Sequence, residues 1–190
     1  MRAKRKVTRT IPEVYRESRR VWSTVVLRLL YIPFCHERGK RVSANYRNAT
    51  SSDIPSLLRF QMEMALETEG VQLDSLVCEQ GIRAVFDRTE LGRYYVGESD
   101  GVVVASALIT YEWSDWRNGV VWWIQSVFVI PEFRRRGAYA GLYRYIQQLA
   151  AAADARGIRL YVDRRNDVAQ QVYTSLGMNG DHYQVFEWMK

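Results

Sequence analysis

The most constraining feature of this sequence is an apolar run that ends at Pro131 and leads through three arginines and Gly137 into a helical pattern. The run covers residues 120–130, helical spacing of apolar side chains continues over 138–156, and a second apolar run follows at 158–163. A strand, a helix and a second strand in succession form a right-handed crossover, in which the two strands lie parallel in the same sheet. The sequence therefore predicts an α/β arrangement here.

The rest of the chain adds helices and antiparallel strands to this unit. Strands are predicted just after residue 43 and over 93–97, 102–112 and 182–189, and helices from a serine cap near residue 51, over 73–86 and over 166–176. One antiparallel hairpin makes the sheet mixed. The expected fold class is α/β (α+β), a mixed central β-sheet flanked by helices.

The dipeptide Asn118-Gly119 predicts the turn of that hairpin, because both residue types tolerate positive φ. If a two-residue turn forms here, Arg117 pairs with Val120. Counting outward along the two strands then places a carboxylate, Glu112, opposite Gln125 of the most apolar strand.

The positive charge of the chain is concentrated at its N-terminus. Residues 1–43 contain twelve Lys and Arg and three Glu, a net charge of +9, whereas the whole chain carries +6. We expect a basic extension over 1–43, helical or a tail, and a folded domain over 44–190. Apolar side chains in the extension follow helical spacing, so it can be an extra helix on the domain, an organelle-targeting segment, or a segment lying on an anionic membrane or nucleic acid.

Composition excludes several classes of function. No nucleic-acid-binding motif accompanies the basic charge, so no specific nucleic-acid partner is expected. The apolar run 21–35 is too short for a transmembrane helix and contains Arg28. The two Cys and two His have spacings that fit neither a zinc site nor a disulfide framework. We therefore expect no metal and a reducing, cytoplasmic location, with organelle targeting as the alternative.

The arginine-glycine segment has the properties of a phosphate-binding loop. A helix that follows a strand exposes unpaired N–H groups and a partial positive charge at its N-terminus. Arg134, Arg135 and Arg136 add charge there, and Gly137 leaves the backbone accessible. The segment fits a pyrophosphate, but it is neither a P-loop nor a dinucleotide fingerprint. Taken alone, it is explained as well by solvated arginines and a capping glycine.

A second segment, NDVAQQVYTSLGM, starts at Asn166 and places Ala169 and Tyr173 on one face of the predicted helix. The small side chain of Ala169 lets a ligand pass close to the helix. Tyr173 would then present its hydroxyl to that ligand.

Together these segments resemble the GNAT superfamily of acyl-CoA-dependent N-acyltransferases. VFVIPEFRRRGAYAGLY is similar to the family's pyrophosphate-binding motif, and NDVAQQVYTSLGM is similar to its later motif of Asn, Ala, Tyr and Gly. YRNATSSDIPSLLRF resembles its first strand and helix. The resemblance covers about residues 46–189, and both motifs occur in the family's order.

The resemblance implies a cofactor and roles for particular residues. It implies acetyl-CoA as co-substrate, with pantetheine along a splayed central strand and phosphates at the loop. The implied cofactor-binding residues are Val127, Phe128, Val129, Arg134, Arg135, Arg136, Gly137, Ala138, Tyr139 and Asn166. Tyr173 stands where many relatives have the acid that protonates the leaving thiolate. Asn166 also suits the cap of its own helix.

Two positions depart from the family pattern. Many relatives place a glutamate base where this chain has Gln125, which cannot accept a proton at neutral pH. The alternatives for the base are Glu112, Asp115 or a chain of water molecules. Tyr139 replaces a Gly or Ala, and it either lies over the cofactor or packs inward.

The resemblance implies an N-acetyltransferase that transfers an acetyl group from acetyl-CoA to a primary amine of a small molecule or protein. The alternative is a catalytically weak module of the same fold that binds acyl-CoA, which Gln125 favours. Trp122 and Trp123 beside the strip YEWSDW can wall an acceptor pocket for a cationic amine, or simply pack in the sheet. A homodimer is compatible with the sequence.

Overall fold

The computed structural model describes residues 43–188; residues 1–42, which make up nearly all of the predicted extension, lie outside that range, as do 189–190. The strands are β1 (Asn45–Asn48), β2 (Arg93–Ser99), β3 (Val102–Ser114), β4 (Gly119–Val129) and β5 (Ile158–Leu160). The helices are α1 (Ile54–Glu69), α2 (Ser75–Asp87), α3 (Ala138–Ala152) and α4 (Asp167–Ser175). Short 3₁₀ segments, Ser51–Asp53 and Pro131–Phe133, precede α1 and α3.

The strands form one five-stranded sheet in the order β1-β2-β3-β4-β5. β1 to β4 run antiparallel to their neighbours, and β5 lies parallel to β4. The parallel pair is the predicted crossover, because the chain leaves β4, passes through α3 and returns beside β4. The mixed sheet flanked by helices confirms the expected fold class.

One face of the sheet, called the α3 face, packs against α3. The buried side chains of Ile109, Trp122 and Ile124 contact Leu142 and Ile146 in one hydrophobic cluster. Because α3 directly follows β4 in the chain, this cluster fixes the helix over the strand from which it came.

The opposite face, called the α1 face, packs against α1 and α2. Leu57 and Phe60 of α1 and Ile82 of α2 form a second cluster with Val96 and Phe128 of the sheet. Successive side chains of a strand point to opposite faces, so β4 contributes to both clusters.

Arg47 ties β1 to the start of α1. Its Nη1 donates to Asp53 Oδ2 at 2.7 Å, and its Nη2 donates to Glu98 Oε2 at 2.7 Å. The amide of Thr50 also donates to Asp53, at 2.7 Å. The hydrogen bonds from Arg47 and Thr50 hold the pKa of the buried Asp53 carboxyl below its usual range. The carboxylate therefore stays charged and fixes where α1 begins.

The start of α3 is anchored to β1 by a close approach at Gly141. The Tyr46 hydroxyl donates to the carbonyl of Ala138 at 3.1 Å, and its ring stacks on Tyr145 with the centroids 6.4 Å apart. A Cβ on Gly141 would lie only 2.0 Å from the Tyr46 hydroxyl oxygen. The absence of a side chain at Gly141 therefore lets Tyr46 hold the first turn of α3.

The β3–β4 hairpin differs from the predicted two-residue turn. Ser114 pairs with Gly119, and residues 115–118 form a four-residue loop. The predicted pairing of Arg117 with Val120 is therefore wrong.

Two successive turns, rather than one, close this loop. The amide of Arg117 donates to the carbonyl of Ser114, and that of Asn118 donates to the carbonyl of Asp115, each at 3.2 Å. Of the predicted turn pair, only Asn118 takes a positive φ, of 45°. Gly119 lies in β4, so the dipeptide marks the end of a longer loop instead of forming the turn itself.

The last predicted strand does not form within the described part of the chain. Residues 182–188 adopt no strand, and Tyr183, Phe186 and Trp188 are 81%, 87% and 81% exposed. β5 also ends at Leu160, three residues earlier than predicted. Alternating apolar side chains indicate which residues share a face, but a strand also needs a backbone edge to bond with. The short β5 offers few backbone groups for such pairing.

We expect Gly141→Ala to lower the free energy of unfolding by about 1–3 kcal/mol, because the new Cβ would overlap Tyr46. Urea denaturation measures the effect. Gly81→Ala in α2 is the matched control: its Cβ would meet no atom within 4 Å, so stability should rise by about 0.5–1 kcal/mol. A Gly141→Ala protein as stable as the control would contradict the anchoring of α3 on Tyr46.

Candidate active site

The site is built on an opening between the two parallel strands. β4 pairs with β5 over Trp122–Ile124 only, whereas β4 itself continues to Val129. Beyond Ile124, no strand among residues 43–188 pairs with the β5 side of β4. The last five of the eleven residues of β4 therefore have one edge bonded to β3 and one edge open.

A bulge in β4 decides which backbone groups face that open edge. The register with β3 shifts between Ile124 and Ser126, which leaves Gln125 as the extra residue. The amide of Ile130 donates to β3, at 3.0 Å from the carbonyl of Val104. Because backbone groups alternate along a strand, the peptide groups of residues 127 and 129 point to the open edge. Two of the three strand residues predicted to bind cofactor, Val127 and Val129, thus present their backbone there.

The third predicted strand residue, Phe128, has a different role. Its side chain is buried on the α1 face, where its ring lies 5.1 Å from that of Phe60. The side chains of Val127 and Val129 are partly buried on the α3 face. Side-chain packing therefore holds this stretch of β4 in place, while its backbone remains available on one edge.

The first turn of α3 lies directly after this edge. Gly137 caps the helix with φ 88° and ψ 4°, a left-handed conformation that favours glycine. The first bond of the helix runs from the amide of Gly141 to the carbonyl of Gly137, at 3.0 Å. The amides of Ala138, Tyr139 and Ala140 precede that bond, so helix geometry leaves them without an intrahelical acceptor. A Cβ on Gly137 would meet no atom within 4 Å, so there is open space beside the cap of the helix.

Arg134 braces the loop and does not extend into this space. Its Nε donates to the carbonyl of Val129 at 2.8 Å, and its two terminal nitrogens donate to the carboxylate of Glu67 at 2.6 and 2.7 Å. The guanidinium also lies 5.3 Å from the ring centroid of Phe128. Arg134 therefore joins the end of β4 to α1, and Glu67 is a partner that the sequence pattern did not indicate.

The other two arginines keep the loop positively charged. Arg135 adopts a left-handed conformation, with φ 61°. Arg136 donates to the carbonyl of Glu132 at 3.3 Å and lies 5.1 Å from the ring centroid of Phe133. Both arginines stand close to the cap of α3, where their positive charge adds to the positive potential of the helix N-terminus.

Asn166 caps α4. Its side-chain oxygen accepts a hydrogen bond from the amide of Ala169 at 3.0 Å. This satisfies one of the unpaired donors at the start of the helix. The capping role that the sequence allowed for Asn166 is confirmed, and its predicted contact with cofactor stays a prediction.

Tyr173 of α4 faces the first turn of α3. Its ring meets that of Tyr139 edge-to-face, with the centroids 5.7 Å apart and the planes at 72°. Burial raises the pKa of the Tyr173 phenol above its ordinary value. The phenol is therefore a proton donor at neutral pH, and it lies beside the loop that carries the unpaired amides.

Gln125 lies at the bulge with polar neighbours. Its Nε2 donates to Thr110 Oγ1 at 2.9 Å, and its Oε1 lies 3.5 Å from the hydroxyl of Tyr161, near the limit for a hydrogen bond. Thr110 orients the amide so that its oxygen points toward the β5 side. The sequence analysis did not single out Tyr161 or Thr110, although strand alternation places side chains that are two residues apart on the same face of the sheet.

Glu112 does not face Gln125, contrary to the predicted register. It pairs with Val121, and its Oε1 accepts from Arg159 of β5 at 2.7 Å. Its other oxygen accepts a hydrogen bond from the indole nitrogen of Trp123. The four-residue hairpin loop accounts for the difference, because it changes which residues of β3 and β4 stand opposite each other along the whole hairpin. Glu112 is thus an ion-pair partner across the sheet.

The two tryptophans do not wall a common pocket. Trp123 contacts Glu112 on the α1 face, whereas Trp122 lies on the α3 face and packs against Tyr95 and Tyr111. A cavity of about 540 Å³ opens beside Trp122 and Tyr111, and none of the predicted catalytic or cofactor-binding residues line it. Neighbouring strand residues point to opposite faces, which separates the pair.

Among residues 43–188, no group of three or more His, Cys, Asp or Glu side chains is arranged to hold a metal ion. Within the same range, the helices are too short or too polar to cross a membrane.

The sequence profile of the Acetyltransferase (GNAT) family matches residues 55–178, more than half of the chain. The crystal structure of a possible acetyltransferase from Clostridium difficile 630 is 38% identical, with a TM-score of 0.72, and the match covers 77% of this chain and 97% of that one. The aminoglycoside N-acetyltransferase AAC(6')-Iy in complex with CoA is 18% identical, with a TM-score of 0.66 and coverage of 84% and 99%.

A transcriptional regulator from Bacillus halodurans C-125 is 15% identical, with a TM-score of 0.68 and coverage of 77% and 99%. At these low identities, this structure and that of AAC(6')-Iy show likeness of fold alone. No curated protein matches the sequence significantly. The profile match and the 38% identical structure agree with the strand opening, the capped α3 and the facing tyrosine, and the chain belongs to the acetyltransferase (GNAT) family.

Proposed function

We propose that residues 44–190 form an N-acetyltransferase domain that transfers the acetyl group of acetyl-CoA to a primary amine of a small molecule or protein. The observation that carries this proposal is the open edge of β4 leading to the first turn of α3, with the phenol of Tyr173 beside that turn. Membership of an acetyltransferase family supports the transfer of an acyl group.

The chain offers backbone groups that suit the pyrophosphate and the pantetheine of the cofactor. The amides of Ala138, Tyr139 and Ala140, with the positive end of α3, suit a pyrophosphate. The peptide groups of Val127 and the amide of Val129 suit the amides of a pantetheine chain. The carbonyl of Val129 already accepts from Arg134, so that group is not available. When bound, acetyl-CoA supplies a thioester carbonyl open to attack and a thiolate leaving group.

Tyr173 is proposed as the general acid. Its hydroxyl donates a proton to the leaving sulfur, which requires the phenol to be protonated at neutral pH. Burial favours that state, since removing the phenol from water disfavours its charged form. A backbone amide of β4 on the open edge stabilises the negative charge that develops on the carbonyl oxygen.

Neither Gln125 nor Glu112 presents a free carboxylate as the base in the described part of the chain. Gln125 holds an amide where a carboxylate would accept a proton, and the carboxylate of Glu112 is bonded to Arg159 and Trp123. An ammonium ion is not a nucleophile, so the amine must lose a proton, and we propose that a chain of water molecules carries this proton out of the site to bulk solvent. A base role for Glu112 or Asp115 stays a prediction.

The class of acceptor rests on family chemistry. The aminoglycoside acetyltransferases act on amines, but their identity to this chain is below 20%, so they do not specify its acceptor. The Glu112–Arg159 ion pair neutralises the carboxylate that would have attracted a cationic amine. We therefore propose a primary amine without a requirement for several positive charges.

A second candidate is a binding module that holds acyl-CoA and does not turn it over. Gln125 is the observation that favours it, because a catalytic carboxylate is absent from that position. Both candidates need the same cofactor site, and only the acetyltransferase consumes acetyl-CoA in the presence of an amine.

Release of free thiol from acetyl-CoA with a panel of primary amines tests the proposal. We expect at least one amine to be acetylated, and Tyr173→Phe to lower kcat by about 10²-fold, the size of a general-acid contribution. Affinity for CoA, measured by calorimetry, should stay unchanged in this variant. CoA binding without turnover of any amine would support the binding module instead, and unchanged kcat in Tyr173→Phe would remove Tyr173 from the mechanism.

The protonation of Tyr173 has its own test. The ultraviolet absorption of tyrosinate is followed against pH in the wild-type protein and in Tyr173→Phe, and the difference gives the titration of this residue. We expect it above pH 10, because its pKa is raised by burial. In the unfolded chain the phenol ionises near pH 10, so Tyr173 should also contribute to a loss of stability as pH rises beyond that value. Ionisation at or below pH 10 would contradict the buried position.

A further inference from the structure

Tyr139 stands where the family pattern has a small Gly or Ala, and its ring contacts that of Tyr173. It is the second residue of α3, two positions after the cap Gly137. Its ring lies 5.7 Å from that of Tyr173 at 72°, and 6.1 Å from that of Tyr143 at 31°. The ring of Tyr139 therefore lies between that of Tyr143 in the same helix and that of Tyr173 in α4.

The two tyrosines stand on elements that are fixed to different degrees. The start of α3 is anchored by Tyr46 through the carbonyl of Ala138 and the close approach at Gly141. α4 has only nine residues, and none of them is fully buried. Within residues 43–188, Tyr139 gives Tyr173 its only ring contact. The ring that packs on Tyr173 thus belongs to the better-anchored helix.

The ring of Tyr139, and not its hydroxyl, makes this contact. The Tyr139 hydroxyl oxygen is buried and forms no hydrogen bond with any of the described residues. Edge-to-face packing of two aromatic rings favours one relative orientation, since the positive edge of one ring meets the negative face of the other. A phenylalanine at 139 would keep this packing, and a smaller side chain would lose it.

We propose that Tyr139 is a positioning residue whose ring holds the phenol of Tyr173 toward the open edge of β4. The inference rests on the proposed function, because it assigns the held phenol a role in proton transfer. Independently of any role in proton transfer, the ring at 139 sets the orientation and burial of the ring at 173. Activity tests the first claim, and a titration tests the second.

The activity test is a double-mutant cycle on kcat. Tyr139→Ala should lower kcat about tenfold or more, since small displacements of a catalytic group have effects of this size. In a Tyr173→Phe background the same change should have no further effect on kcat. Tyr139→Phe, the matched control that keeps the ring, should lower kcat clearly less than Tyr139→Ala does, and CoA affinity should change less than about threefold in all variants. An equal loss of kcat in both backgrounds, or a loss in Tyr139→Phe as large as in Tyr139→Ala, would overturn the proposal.

A second test uses no activity. The tyrosinate titration of Tyr173, obtained as the difference from the matching Tyr173→Phe protein, is repeated in the Tyr139→Ala background. Loss of the covering ring should move this titration toward pH 10, whereas Tyr139→Phe should leave it where it is in the wild type. An unmoved titration in Tyr139→Ala would overturn the proposal even if the enzyme has no detectable turnover.

Tyr139→Leu replaces Tyr139→Ala if the alanine variant does not fold, because leucine fills more of the space without an aromatic ring. The expected results are the same in direction. Absence of acetyl transfer by the wild-type protein would contradict the proposed function, while the titration would still decide whether Tyr139 positions Tyr173.

Discussion

β4 and β5 pair over only three residues each, and the chemistry proposed for this protein depends on where that pairing stops. In a continuous sheet, the backbone groups of residues 127 and 129 would be bonded to the neighbouring strand and unavailable to a ligand. The bulge at Gln125 shifts the strand by one residue just beyond the last pair. It thereby sets which peptide groups face the opening and places an amide side chain at its start.

Two anchors hold the start of α3 at the end of this opening. Tyr46 fixes the first turn from β1 through Gly141, and Arg134 joins the carbonyl of Val129 to Glu67 of α1. The loop between β4 and α3 is therefore held from both faces of the sheet. Binding through such prearranged amides costs little ordering of the chain when a ligand arrives, which suits a cofactor that must be exchanged at each turnover.

Local patterns predicted the crossover unit, the helices and the loop well, because residue spacing determines which side chains share a face. The same patterns failed where a partner distant in sequence decides the outcome. The register of the hairpin depended on a four-residue loop, and residues 182–188 found no strand edge. The bonds of Arg134 to Glu67 and of Glu112 to Arg159 join residues 67 and 47 positions apart, which no local spacing indicates. Sequence spacing therefore indicates the position of backbone groups better than it indicates the partners of long side chains.

Amide hydrogen exchange with and without CoA tests directly whether the open edge of β4 and the start of α3 form the cofactor site. We expect CoA to slow exchange of the amides of Val127 and Val129 and of residues 138–140, while amides of α2 exchange at the same rate in both states. Binding of CoA without protection of these amides, or protection confined to the cavity beside Trp122, would show that the open edge of β4 and the start of α3 do not form the cofactor site.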